Sequence, residues 1–233
     1  MLGNLLEPGV LAIVGVLLTI TVFSIYFSRV YLPAKIKEAY LRSITVLAAA
    51  VETKDSGTVG HAQRVARMAV EVARRLGMSP EELDRIEYAA LLRDIGKAIV
   101  PQSVLTKSGQ LDPEEWETLQ SHSRLGEQMA AAVPFLAHTA PYIRHHHEYW
   151  DGSGYPDGLR GDEIPLGSRI LAVASDYDAL VSDRPYYPRP MNPDEALAEI
   201  LGGSGTRYDP AVTEAFAAVV AEGVWTREKD KAA

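Results

Sequence analysis

The hydrophobic pattern changes character once along the chain. Positions 8–28 carry no charged residue, and the stretch VLAIVGVLLTITVFSIYF within them is almost wholly apolar. These 21 residues, at about 1.5 Å each, reach roughly 30 Å, the thickness of a bilayer core. The run predicts a transmembrane helix over 10–28. A cleaved signal peptide would want a basic leader, and MLGNLLEPG holds no Lys or Arg. A buried core helix is the blander alternative, but the run stands outside the amphipathic pattern that follows. Arg29, Lys35, Lys37 and Arg42 come after the run and only Glu7 before it. The positive-inside rule then puts residues 1–9 outside the cell and the remainder in the cytoplasm.

Beyond Pro33 the pattern is helical. Ile36, Tyr40, Ile44, Leu47 and Val51 form one apolar stripe. A linker helix is expected over 29–42 and a globular domain over 43–222, with 223–233 a polar, solvated tail. HAQRVARMAVEVARRLG reads as a helix ending at Gly77. Ser79-Pro80-Glu81-Glu82 is a capping box with Pro at the first helical position, and it starts a helix that runs to Arg93-Asp94. Asp112-Pro113-Glu114-Glu115 repeats the signal ahead of the helix expected to carry His122. Asn192-Pro193-Asp194-Glu195 and Asp209-Pro210 begin the last two. No segment alternates apolar and polar residues with period two, so the expected fold class is all-α, a helical bundle preceded by one transmembrane helix.

A formal charge of −8 over 233 residues argues against binding a nucleic-acid polymer, which needs a basic surface. With no cysteine, disulfides and thiolate chemistry are excluded. The chemistry concentrates in six histidines, His61, His122, His138, His145, His146 and His147, three of them consecutive in IRHHHEYWDGSGYPDGL. Imidazoles joined by a carboxylate such as Asp94 suit a borderline transition metal better than magnesium or calcium. Lone histidines are more often hydrogen-bonded structural residues, the expectation for His138. The Gly-rich DGSGYPDGLRG lets backbone approach a ligand closely, although turn chemistry alone accounts for such a loop.

Taken in order, GHAQRVA with His61, LLRDIGK with Asp94, KSGQLDPEEWETLQSH with His122, HHEYWDGSGYPDGL, IPLGSRILAVASDYDALVSDRPY and GSGTRYDP resemble the HD-GYP family of HD phosphohydrolases over roughly 43–216. The resemblance implies an HD-type helical domain that hydrolyses cyclic di-GMP, a bacterial second messenger, at a centre of two or three metals. Metals lower the pKa of bound water and neutralise phosphoryl oxygens, which an anionic phosphodiester requires. It also makes the membrane the bacterial cytoplasmic (inner) membrane.

The family's first metal is held by a first His, a His-Asp doublet and a later Asp. Here His61 and Asp94 remain, but Arg93 stands in place of the doublet His and Ser175 in place of the later Asp. With neutral imidazoles the family set carries about −2, and this set, Arg93 included, about 0. Arg cannot deprotonate to ligate, and its charge repels a cation. Asp176 is a substitute only if one residue's slip, about 100° around a helix, is tolerated. The second site is intact as Asp94, His122, His146 and His147, a set suited to one Fe, Mn or Zn ion. Gly57 replaces a Glu that some relatives use for a third metal. On the resemblance, Asp94 and Lys97 are the expected catalytic residues. Lys97, Arg184, Gly154, Tyr155 and Pro156 are expected to face substrate, Lys97 and Arg184 as phosphate partners. Tyr149 and Trp150 read as core residues, and His145 as a support behind the ligands or an exposed residue.

One reading is therefore a membrane-anchored cyclic di-GMP phosphodiesterase with one metal and impaired turnover. The other is an inactive domain that binds cyclic di-GMP, or a partner, and signals by conformation. A homodimer or a signalling-protein partner suits either, and a plain helical dimerisation module is the blandest alternative. The topology is testable directly: a reporter fused to the C-terminus should read as cytoplasmic, and a periplasmic signal would overturn the orientation drawn from Arg29, Lys35, Lys37 and Arg42.

Overall fold

The structure is a computed structural model that describes residues 8–55, 60–107, 109–182 and 190–223. It divides into two compact units, Met1–Ser43 and Ile44–Ala233. In the first, α1 (Pro8–Tyr26) leads through a wider π turn, Phe27–Tyr31, into α2 (Leu32–Asp55), whose residues from Ile44 onward belong to the second unit. No residue of α1 is buried, and the best window of the run Pro8–Lys54 has mean hydropathy 2.5, so this helix is long and apolar enough to cross a bilayer.

The second unit is helical, with no strand among the described residues and a single isolated bridge between Ser204 and Tyr208. Its longer helices are α3 (His61–Arg75), α4 (Pro80–Leu92), α6 (Pro113–Gln120), α7 (His122–Ala131), α9 (Leu166–Val181), α10 (Pro193–Gly202) and α11 (Pro210–Ala221). The short α5 (Gln102–Leu105) and α8 (Ala140–Arg144) lie between them. The expected capping boxes form at Ser79, Asp112 and Asn192, each side chain accepting from the amide three residues on while the Glu there returns the bond. Gly77, at φ +77°, closes α3 in the left-handed region.

The core is built where α3 packs on α4 and α9, with α11 against α3 and α9. Val65, Ala69, Val72, Ile86, Ala89, Ile170, Leu171, Val173, Val212 and Phe216 are buried there, and Tyr177 meets Phe216 edge-on at 5.0 Å. Alanines on α3, α4 and α9 let the three backbones approach closely.

Two details depart from the sequence reading. On α2 only Ile44 and Val51 of the expected stripe are buried, with Ala48 as the third; Ile36, Tyr40 and Leu47 are exposed. At about 100° per residue the buried trio spans only ~60°, and the other three fall to one side of it. The helix expected to run from Asp112 through His122 is also broken at Ser121. There the side chains of Ser121, His122 and Ser123 bond back to the carbonyls of Thr118, Leu119 and Gln120, competing with the helical ladder. His122 thereby becomes the first residue of α7.

One close approach fixes the middle of the molecule. After α4 the chain makes a 3₁₀ turn, Ile95–Ala98, and a Cβ at Gly96 would lie 2.0 Å from the His122 carbonyl and 2.7 Å from the Gly126 amide. Backbone thus touches backbone, and Asp94 is drawn beside His122. Gly96→Ala must push the turn off α7 and should cost about 1–3 kcal/mol. Urea unfolding measures this loss, and a wild-type midpoint would show that the contact yields freely.

Candidate active site

Five elements border the site: the first turn of α3, the end of α4, the first turn of α7, the turn after α8, and α9. His122 and His146 are 1% and 2% exposed. Nδ1 of His122 lies 2.7 Å from the Leu119 carbonyl, and Nδ1 of His146 lies 2.6 Å from the Ile143 carbonyl. A carbonyl only accepts, so each Nδ1 carries the proton and each Nε2 presents a lone pair. This orientation is the one that holds metal-ligating imidazoles in place. Ring centroids of His122, His146 and His147 are 4.0–5.5 Å apart. Their ligand nitrogens lie within 4.8 Å of one another. Nε2 of His146 is buried without a hydrogen-bond partner. A buried polar atom in that state is costly unless something it can bind arrives, so the donor set fits one metal ion. The chain thus contains groups able to hold a divalent metal.

Asp94 borders this cluster, with Oδ1 3.8 Å from Nε2 of His122. Both its oxygens already face cations: Lys97 Nζ at 2.9 Å and Arg93 Nη2 at 3.1 Å. Arg93, 1% exposed, also donates to the Ala90 carbonyl at 2.8 Å. Burial alone would raise the Asp94 pKa, but Lys97 and Arg93, helped by His122 and His146, hold it well below the ordinary range. Lys97, expected to face a phosphate, is turned onto Asp94.

His61 lies apart from the three convergent imidazoles. Its Nδ1 meets Asp178, whose carboxylate also takes the Arg64 guanidinium in a fork, at 2.6 and 2.9 Å, and Ser182 Oγ at 3.2 Å. Asp178 was not singled out from sequence, although it sits three residues after Ser175 on the same face of α9. Ser175 is half-buried. Asp176, the slipped substitute, is turned to Tyr208 Oη at 2.9 Å and Arg207 at 3.0 Å and does not join the histidines.

The Gly-rich loop is built against the site. A Cβ at Gly154 would lie 2.3 Å from the Tyr149 amide and 2.5 Å from the His147 carbonyl. The Tyr155 amide bonds that same carbonyl at 3.1 Å, and the Tyr155 ring stacks on His147 at 4.7 Å. Tyr155-Pro156 is cis. Glu148, buried, accepts from the amides of Asp157 and Leu159. Asp157 accepts from Arg144 in a fork and from His145 at 2.9 Å. His145, Glu148 and Asp157 also lie close enough to resemble a metal set, but these bonds engage them in holding the loop. Tyr149 and Trp150 are half-buried under Arg207 and Arg169. His138 is exposed. Arg184 and Gly57 lie outside the described residues.

An all-helical domain that gathers imidazoles beside a half-buried Asp in this way is of the HD type, and the HD domain family model matches residues 45–212. The chain belongs to the HD domain family, in its HD-GYP branch. It is 42% identical over 185 residues to a cyclic di-GMP phosphodiesterase of Thermotoga maritima, covering 77% of this chain and 50% of that protein. It is 40% identical to the cyclic di-GMP phosphodiesterase response regulator RpfG of Xanthomonas campestris, covering 78% and 48%. To the 3'3'-cGAMP-specific phosphodiesterase 2 of Vibrio cholerae it is 36% identical, covering 81% and 36%. The chain therefore spans half or less of the length of these relatives. In fold it is similar to a cyclic GMP-AMP specific phosphodiesterase of V. cholerae, with TM-score 0.62 at 23% identity over 77% of this chain and 48% of that one.

The imidazoles make stability pH-dependent in the metal-free protein. Burial, reinforced by His122, pushes His146 from 6.5 down to about 3. Burial with His146 and His122 likewise holds His147 well below its ordinary range. Between pH 6.5 and 3 the unfolded chain binds more protons at His146, so stability falls as pH falls, by at most ~1.4 kcal/mol per unit for the group. Urea midpoints of chelator-treated protein should drop steadily from pH 6.5 to 5, and His146→Gln should flatten that slope. A flat profile in the unaltered protein would contradict the burial argument.

Proposed function

We propose that this chain is a membrane-anchored HD-GYP-type domain of cyclic di-GMP signalling, with one metal and impaired phosphodiesterase activity. The observation that carries the reading is the contrast inside one site. Three imidazoles converge on one point, while Arg93 fills the doublet position and faces the Asp94 carboxylate at 3.1 Å. The proposed ligands of a single Fe, Mn or Zn ion are His122, His146 and His147, with Asp94 joining if Lys97 releases it. Such an ion supplies Lewis acidity and a water of lowered pKa. The protein's part is to orient and to attract. The Leu119 and Ile143 carbonyls fix the imidazole tautomers. Tyr155 and the Gly154 backbone wall the cluster. Lys97 and Arg93 bias the pocket toward an anionic phosphodiester. Arg93 acts through Asp94 and not on substrate directly, because it is buried behind the carboxylate. Arg184 is a further candidate for a phosphate contact.

A second reading has its own support. Both Asp94 oxygens are engaged by cations, which opposes loading a second ion at the His61 side, where affinity demands uncommitted, deprotonated ligands. On that reading the domain binds cyclic di-GMP or a protein partner without turnover. Either way, α1 is the proposed single-pass anchor in the cytoplasmic membrane, supported by its exposed apolar surface and the basic residues after it. The domain then faces the cytoplasm, as a homodimer or with a signalling partner.

The deciding experiment pairs metal content with hydrolysis of cyclic di-GMP, 3'3'-cGAMP serving as the comparison substrate. The unaltered chain should hold one ion and turn over slowly, with cyclic di-GMP preferred. Arg93→His with Ser175→Asp removes one positive charge, adds one negative charge, and restores an imidazole and a carboxylate. The pair should raise the ion count and raise the rate about tenfold or more, equivalent to ~1.4 kcal/mol of barrier, while either change alone does little. Fast hydrolysis by the unaltered chain, slowed by Arg93→His, would overturn the impaired-site reading. Tight binding with no turnover, even in the double variant, favours the second reading.

A further inference from the structure

The last turn of α2 holds both sides of the candidate site, through two side chains that no chemistry above uses. Glu52, 9% exposed, reaches across to the start of α3. One carboxylate oxygen accepts from the Gly60 amide at 2.7 Å and the other from the Ala62 amide. These two amides flank His61 and belong to the first turn of α3, where backbone N–H groups have no helical partner and the helix dipole favours an anion. Gly60 has φ +101°, a conformation that favours glycine, so the carboxylate receives a backbone already bent toward it.

Two residues on, Lys54 points to the other side. Its ammonium donates to the carbonyls of Lys97 at 3.1 Å, Ala98 at 2.7 Å and Val100 at 2.7 Å. An ammonium has three protons, and all three are used. The carbonyls close the 3₁₀ turn that begins directly after Asp94, where a cation complements the C-terminal end of the helical dipole. Gln102 completes the clasp by donating from Nε2 to the Lys54 carbonyl at 2.9 Å. One turn of helix therefore fixes the backbone on either side of His61 and the backbone that carries Lys97 beside Asp94. The Gly96 contact then relays the second of these to His122.

We propose that Glu52 and Lys54 are positioning residues for the site. They set the distance between its His61 side and its Asp94–His122 side, and a shift of this turn of α2 changes the site's geometry. The functional half of the statement rests on the metal-site reading above; the structural half does not.

The test uses the full chain in detergent with Lys54→Met, Lys54→Arg and Glu52→Gln, read in two ways. Amide hydrogen exchange, measured on metal-free protein, should speed up about tenfold or more over residues 96–105 in Lys54→Met, and over 60–64 in Glu52→Gln. The α9 segment should stay as protected as in the unaltered chain, and Lys54→Arg should restore most of the protection. Unchanged exchange in both regions overturns the clasp. Uniformly faster exchange, α9 included, also overturns it, since that reports general unfolding. The second readout is the affinity for Co²⁺, followed by its visible absorption. Lys54→Met should weaken it about tenfold and change the band shape, with recovery in Lys54→Arg. Faster local exchange with unaltered Co²⁺ affinity overturns the positioning role. If the unaltered chain binds no Co²⁺, the metal-site reading fails, and the exchange data alone decide the clasp.

Discussion

The Asp94 carboxylate, half-buried and held between Arg93 and Lys97, is the interaction on which the site depends. A carboxylate withdrawn from water is stable only with compensating charge close by. In a dinuclear metal enzyme the ions can provide that charge; here the chain provides it from the residues one before and three after. The position of Asp94 follows from the glycine contact that seats its turn on α7, so charge and backbone packing are not separable at this point. Because two cations face one anion, the charged side chains of the pocket sum to about +1 when the imidazoles are neutral.

The three imidazoles are held by a different set of forces. His122 and His146 take their tautomer and direction from backbone carbonyls one turn earlier, and His147 takes its place from the ring of Tyr155. Neither arrangement uses Arg93 or Lys97. The imidazole tautomers and the charges around Asp94 are therefore set by different partners, although the Gly96 contact ties the two backbones together. This division of partners explains how a chain can carry an intact set of nitrogen donors beside a position where ligation is chemically impossible.

Much of this was legible beforehand because it rested on local rules. The capping boxes at Ser79, Asp112 and Asn192 gave helix starts to the residue, while the histidines that converge, His122, His146 and His147, were those that the family resemblance, and no local rule, implied as ligands. What stayed hidden involved geometry at a distance or a choice among partners. The break at Ser121 arises from three successive side chains bonding backward, where composition alone reads as continuous helix. The ion pair of Lys97 with the carboxylate three residues before it is likewise a choice among partners, beside the phosphate role that the resemblance implies. Asp178, Glu52 and Lys54 carry no motif of their own. Their roles come from segments about 50 to 120 residues away or from loops whose backbone groups need partners. The buried face of α2 was misjudged because a helical stripe is a direction, and a shift of less than a quarter turn exchanges core for surface.

The electrostatics also separate two abilities that a metal centre usually joins. Attracting a phosphodiester needs positive charge in a pocket of low dielectric, and the Arg93 guanidinium with the Lys97 ammonium provides it independently of metal supply. Hydrolysing that phosphodiester needs an activated water, which a guanidinium cannot supply because it neither ionises nor coordinates. On the proposed reading, the exchange of a ligand for an arginine therefore weakens turnover far more than recognition. It leaves a domain whose occupancy by a dianionic cyclic dinucleotide outlasts its capacity to destroy it, and whose two sides are tied to a single turn of α2. A protein with those two properties is better placed to report the nucleotide through a change in helix position than to clear it.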